Sequence, residues 1–230
     1  MRVEPREISI GDIHGCFDDF VDLLKTIGPI CPEDKIIFLG DLIDRGLQSR
    51  EVVEKIREMK ESMPDRVFIV RGNHEDMLFD YLGIESVCEY EEGFFEKHGG
   101  LATIESFRTK ESLLAAGRWL HKNTVIHLET KQALYAHAGF MPRARTSAET
   151  KLWIPDLAAY CETVNYSFPK RLIVGHTPVG MAPLLIPNNN LIMMDSGSVF
   201  GIAPLSAYDV VNFTAYYANG ETKNLAAYAG

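Results

Sequence analysis

The chain is short of cysteine, of tryptophan and of positive charge, and it has no long apolar run. Its four cysteines, Cys16, Cys31, Cys88 and Cys161, form no CxxC pair among 230 residues. That spacing argues against a structural zinc site and against a disulfide framework. Lys plus Arg number 23 against 32 Asp plus Glu, a net charge of −9. Broad electrostatic attraction to nucleic acid or to an anionic membrane is therefore not expected. No uninterrupted apolar segment approaches the length of a membrane span. The opening MRVEPREISI is charged where a signal peptide would be apolar. The expectation is a cytoplasmic protein with neither nucleic-acid nor membrane partners.

What is present suffices for a core. A hydrophobic fraction of 46% and a mean hydropathy of −0.06 are those of an ordinary globular protein, and a chain of this length closes a core without disulfides. The first 75 residues alternate strand and helix signals. REISI, KIIFLG and RVFIVRG read as short strands. FDDFVDLLKTIG and SREVVEKIREMKESM carry apolar residues at helical spacing, the second with Ser49 as N-cap. NHEDMLFDYL returns to helix. Residues 83–122 read as a helical or irregular insert on the substrate side, with Gly99-Gly100 as a break. Beyond it NTVIHLE, KQALYAHAG, KRLIVGH, NNLIMMDSG, LSAYDVV and NFTAYYA read as strands, with Asn219-Gly220 as a hairpin turn. One domain over 1–230 is the simplest division.

Five polar clusters stand at the ends of these strands: GDIHG, GDLIDRG, RGNHE, HAG and GHTP. The carboxyl ends of strands are where open α/β sheets place their sites. The ligand-type side chains there are Asp12, His14, Asp41, Asn73, His137 and His176. Aspartate oxygen and neutral imidazole suit divalent first-row metals. Six donors exceed what one zinc needs and match two metals sharing a carboxylate, an arrangement that clamps both oxygens of an in-line phosphoryl displacement. Only two carboxylates among the six would leave net positive charge for a phosphate. Taken singly, each motif is an ordinary turn, cap or core histidine; five coinciding at strand ends is the stronger observation.

GDIHG, GDLIDRG and RGNHE, in this order, resemble the three-part signature of the calcineurin-like metallophosphoesterases, within the bacterial and phage type of the phosphoprotein phosphatase branch. HAG and GHTP follow in the family's order, and the likeness runs from about residue 8 to 202. The resemblance implies an α/β class fold, a four-layer α/β/β/α sandwich with a dinuclear site at the strand ends. It implies one metal on Asp12, His14 and Asp41, with Asp41 bridging to a second held by Asn73, His137 and His176. Mn²⁺ is the expected ion, with Fe or Zn as alternatives. It implies that His74, paired with Asp44, protonates the leaving oxygen, that a nearby carboxylate raises that imidazole's pKa, and that Arg45 and Asn73 bind phosphate while a metal-bridging hydroxide attacks phosphorus. The implied activity is dephosphorylation of phosphoserine and phosphothreonine in a phosphoprotein or phosphopeptide. The alternatives are hydrolysis of dinucleoside polyphosphates, whose first motif generally carries glutamine in place of His14, and a catalytically silent binding module.

One departure concerns a second phosphate-binding arginine. The family places it after the tryptophan of a WxR segment, and here LWIPD puts Pro155 in its place. Arg143, Arg145, Lys151 and Lys170 are the substitutes at hand. Asp195 and Ser196 of DSGSVFG read as structural supports, and His98, His121 and His127 as without a role in the chemistry.

Overall fold

The computed structural model describes residues 5–140, 152–154, 157–163 and 165–228. Pro155, Arg143, Arg145 and Lys151 lie outside them. The carboxyl half of the chain does not extend the first sheet alone but builds a second one. The seven-stranded sheet has the order β12-β11-β10-β1-β2-β3-β4 and the five-stranded sheet β5-β6-β7-β9-β8. In the first, β1 (Glu7–Ile10), β2 (Lys35–Phe38), β3 (Val67–Val70) and β4 (Thr124–Val125) run parallel. Beyond β1 the sheet continues with alternating direction: β10 (Ser206–Asp209) pairs antiparallel with β1, β11 (Thr214–Tyr217) antiparallel with β10, and β12 (Thr222–Asn224) antiparallel with β11. In the second, β6 (Leu134–Ala136), β7 (Leu172–Val174) and β9 (Leu191–Met193) are parallel, with β5 (His127–Glu129) and β8 (Leu184–Ile186) as antiparallel edges.

Side-chain alternation sorts the apolar residues into layers. On β2, Ile36 and Phe38 join the core under the helices, while Ile37, followed by Leu39, faces the second sheet. On β7, Ile173 faces inward to meet them and Leu172 and Val174 face out. Tyr135, Tyr208 and Met194 fill the space between the sheets. Helices α1 (Phe17–Ile27), α2 (Ser49–Ser62), α3 (Asn73–Tyr81), α4 (Leu101–Phe107) and α5 (Lys110–Asn123) accompany the first sheet, and α6 (Leu157–Thr163) packs on the outer face of the second. The result is helix, sheet, sheet, helix: the expected α/β sandwich.

The differences in detail have physical reasons. NTVIHLE reads as one strand, yet Thr124–Val125 pair with β3 and His127–Glu129 with β6, so the run crosses from one sheet to the other at Ile126. Period-two alternation cannot register a change of partner sheet. The edge strands β8 and β12 do not signal themselves, because β8 is an apolar run of only three residues and β12 has no apolar residue. Ser49 is the first residue of α2 and makes no cap; its buried hydroxyl accepts the Asp44 N–H at 3.1 Å instead. The Asn219-Gly220 turn closes the β11–β12 hairpin, with Gly220 at φ 88°.

The root of β1 is latched to the loop before β2. Asp34 accepts from the Arg6 backbone N–H at 2.8 Å, from Arg6 Nε at 3.0 Å and Nη2 at 2.7 Å, and from the Cys31 N–H at 2.9 Å. Burial works to raise its pKa, but these donors hold the carboxyl below its ordinary value. A depressed carboxyl pKa contributes stability above the unfolded pKa and loses it as pH falls. Asp34→Asn should therefore lower stability by about 2 kcal/mol at pH 7, and the difference from wild type should fade in melts taken below about pH 4.

Candidate active site

The donor residues stand where strands of both sheets end. Asp12 and His14 follow β1, Asp41 follows β2 and Asn73 opens α3 after β3; His137 follows β6 and His176 follows β7. The structure brings all six together, five of them buried and His176 half-buried. The backbone is bent to do so. His14, Asp41, Asp44, Arg45 and His176 all have positive φ, between 46° and 73°. Such conformations cost on the order of 1–3 kcal/mol each and persist where the surroundings over-determine them. Neighbouring glycines leave the room: a Cβ on Gly175 would sit 2.1 Å from Asp12 Oδ1, and one on Gly72 2.2 Å from Asp41 Oδ1.

Asp41 is common to two ligand-like groups, His14–Asp41–His74 and Asp41–His137–His176. Its Oδ2 lies 3.5 Å from His14 Nε2 and its Oδ1 3.4 Å from His137 Nε2. Both imidazoles are oriented from behind, since a carbonyl can only accept. His14 Nδ1 donates to Ile43 O at 2.9 Å and His137 Nδ1 to Leu39 O at 2.8 Å, so both Nε2 atoms face the centre. Asn73 Oδ1 is 2.8 Å from His137 Nε2 and 3.0 Å from His176 Nδ1. Asp12 stands to one side, its Oδ2 accepting the His176 N–H at 2.9 Å. Its Oδ1 is buried and finds no hydrogen-bond partner among the described residues.

Protonation without bound ions shows what the donor set lacks. Burial, then the Asp195 charge, push Asp12 well above the ordinary carboxylate range. Asp195 itself is pushed to about 6 by burial. Burial holds His14 well below its ordinary value and His176 down at about 3. It also opposes a charged His137, but the Asp41 carboxylate outweighs it and lifts that ring to about 10. Burial would raise Asp41 too, yet His137 and His74 hold it well below normal. Protons thus sit among converging oxygen and nitrogen donors where cations would relieve the same repulsion. The unpartnered Asp12 Oδ1 and the inward lone pairs fit divalent metal ions.

His74 Nδ1 donates to Asp44 Oδ2 at 2.7 Å, with Nε2 3.9 Å from Asp41 Oδ2. The pairing is as expected but the pKa is not. Burial drives the His74 imidazolium down to about 4, against the pull of the Asp41 carboxylate, and drives the Asp44 carboxyl well up, against its hydrogen bond from Thr103. Arg45 lies at the mouth. Its Nη1 contacts His14 Nε2, its Cζ stands 5.1 Å from the Phe200 ring centre, and its N–H donates to Gly99 O at 3.1 Å. Lys170 is not available as a second phosphate ligand, because its ammonium binds Glu129 at 3.0 Å and Thr130 O. Asp195 accepts the Gly197 N–H at 2.8 Å, the supporting role read for it.

Three supporting residues escape the sequence reading. Glu75 takes the N–H groups of Asp41, Leu42 and Gly72 at 2.8–2.9 Å, tying the second motif to the third. A signal existed, because Glu three residues after Gly72 is the acidic half of a capping box. Thr103 of α4 donates to Asp44 Oδ1 at 2.6 Å, and Ser49 joins the same network. Nothing local marks them, since Thr103 is 59 residues from Asp44. Glu75→Gln would set an amide N–H against one of three backbone N–H groups. It should destabilise the chain by about 2–3 kcal/mol, lowering Tm by roughly 4–12 °C in a thermal melt.

Residues 8–207 match the family model of the calcineurin-like phosphoesterases, and the chain belongs to that family. It is 28% identical over 221 residues to the asymmetrical bis(5'-nucleosyl)-tetraphosphatase PrpE of Geobacillus sp. (strain WCH70), covering 84% of this chain and 85% of that protein. Among solved structures it is similar to a cold-active protein-tyrosine phosphatase of a psychrophilic Shewanella species, with TM-score 0.66, 17% identity, and coverage of 96% of this chain and 80% of that one. It is also similar to a putative diadenosine tetraphosphatase, with TM-score 0.65, 21% identity and coverage of 96% and 93%. A serine/threonine phosphatase from Saccharomyces cerevisiae follows at TM-score 0.56 and 19% identity, over 84% and 67%. These structural likenesses establish the fold. Among the described residues no helix is long and apolar enough to cross a membrane.

Proposed function

We propose that the chain is a metal-dependent phosphoester hydrolase whose preferred substrates are dinucleoside polyphosphates. The chemistry rests on one observation: the buried His74–Asp44 pair faces Asp41 inside a converging set of oxygen and nitrogen donors. Asp12, His14 and Asp41 would hold one ion, and Asp41, Asn73, His137 and His176 the other. When bound, the ions supply Lewis-acid charge to the phosphoryl oxygens and make the attacking water more acidic. Asn73 and Arg45 position those oxygens. Asp44 keeps His74 in the tautomer that presents Nε2–H, once the ring is protonated, to the leaving oxygen. The likeness to the Geobacillus tetraphosphatase supports the nucleotide substrate.

Dephosphorylation of phosphoserine and phosphothreonine, which the motifs alone put first, is the second reading. The exposed apolar residues Leu47, Phe200 and Ile202 favour it, since Leu47 follows Arg45 by two positions and Phe200 lies against the Arg45 guanidinium. The test is kcat/KM with Mn²⁺ on diadenosine tetraphosphate and on a phosphoserine peptide, before and after chelation. The expected outcome is a preference for the dinucleotide, lost with the chelator and restored by Mn²⁺. A preference for the peptide would reverse the two readings, and activity indifferent to chelation would sink both.

A further inference from the structure

One flank of the donor cluster is aromatic and has no part in the chemistry described above. The Trp153 ring stands edge-on to the His176 ring at 5.7 Å between centres, and Phe94 stands edge-on to Trp153 at 6.3 Å. Tyr90 packs on Phe94 at 5.3 Å, and His98 stacks on it at 3.9 Å. Trp153 is 36% exposed, high for a side chain of its size beside a buried centre.

The ring is held rather than loose. Trp153 Nε1 donates to Tyr90 Oη at 3.3 Å, and Tyr90 Oη donates to Asp76 Oδ2 at 3.1 Å. Asp76 is fully buried on α3, the helix that also carries Asn73 and His74. Its carboxylate further accepts the N–H groups of Val87 and Cys88 at 2.9–3.1 Å, fixing the loop that brings Tyr90 forward. A chain of polar contacts thus sets the orientation of an exposed indole from the helix that supplies the reacting groups.

We propose that Trp153, backed by Phe94 and oriented by Tyr90 and Asp76, is a stacking platform for a nucleobase of the substrate. This rests on the nucleotide reading above. The occupant follows from chemistry. A phosphate at the donor cluster brings whatever it is esterified to within reach of the His176 side, where an indole face is on offer. Glu89, Glu91, Glu92 and Glu96 lie within or next to the Tyr90–Phe94 segment in sequence, a concentration of negative charge that disfavours acidic peptide and suits an uncharged planar ring. Stacking of a base on an aromatic side chain is strong enough to be measured by deletion, and it tolerates any base with a π-face.

Two measurements test it. In the first, kcat/KM with Mn²⁺ is taken for diadenosine tetraphosphate and for inorganic tripolyphosphate, which has no base. The ratio of the two should fall about ten-fold or more in Trp153→Ala and recover largely in Trp153→Phe. An unchanged ratio in Trp153→Ala, with the wild type active on the dinucleotide, overturns the platform and leaves the nucleotide reading standing. The second needs no turnover. Trp119→Phe leaves Trp153 as the only tryptophan, and AMP should quench its fluorescence where ribose 5-phosphate does not. Equal responses to the two overturn the proposal. A wild type inactive on the dinucleotide, together with selective quenching by AMP, would sink the nucleotide reading and keep the base site. A preference for a phosphoserine peptide over the dinucleotide, with no quenching by AMP, would sink both.

Discussion

His74→Asn should lower kcat on an alkyl phosphate ester by about 10²–10⁴-fold while KM moves little. The substitution keeps a polar side chain at the start of α3 and removes the imidazole nitrogen proposed to protonate the leaving oxygen. The size of the loss depends on that oxygen. An alkoxide is a strong base and needs its proton in the transition state, whereas p-nitrophenolate leaves without one. The deficit on p-nitrophenyl phosphate should therefore be smaller by about an order of magnitude or more. Equal losses on the two substrates would mean that His74 acts on the site as a whole and not on the leaving group. Because the pair is buried at 2.7 Å, Asp44→Asn should reproduce part of the kcat loss. It leaves His74 in place but removes the charge and exchanges one acceptor oxygen for an N–H donor, so the group facing Nδ1 no longer enforces a single tautomer.

Asp41→Asn should be more damaging still, and for a different reason. Asp41 is the one carboxylate shared by both ligand-like groups, and it also accepts the His74 backbone N–H at 3.1 Å. Asparagine is the informative replacement, because the position has φ 50° and Asn tolerates that region better than Ala. With the bridging charge gone, metal analysis of the purified variant should show at most one ion per chain, against the two that the proposed site would take in the wild type. Activity should fall on the order of 10³-fold, the loss expected when several kcal/mol of Lewis-acid stabilisation disappear. A variant that retained two ions and most of its activity would remove Asp41 from the bridge.

Much of this was legible in the chain because the site is written in short motifs. Asp12 with His14, Asp41 with Asp44 and Arg45, and Asn73 with His74 each lie within five residues. Each follows a strand whose apolar run announces itself, so residue type and strand-end position could be read together. The supports could not be read in the same way. Thr103 and Ser49 are ordinary helix residues until α4 lies across α2 and brings both onto Asp44. Glu75 looks like a cap and turns out to hold two motifs in register. His74 shows the same limit in its charge: pairing with Asp44 is visible from the motifs, but burial of both groups, which decides the direction of their pKa values, is not.

The sequence by itself determined the family, the ligand-type residues and the parallel strands that carry them, because hydrophobic periodicity and motif order are local properties of a chain. Only the tertiary structure decided how the chain crosses from one sheet to the other at Ile126, which brings His137 and His176 against Asp41. It also decided that Lys170 is bound elsewhere, and that Trp153 is turned toward His176 by a tyrosine 63 positions away. Those outcomes depend on contacts between segments far apart in sequence, whose partners are chosen by packing and by the need to satisfy buried polar groups.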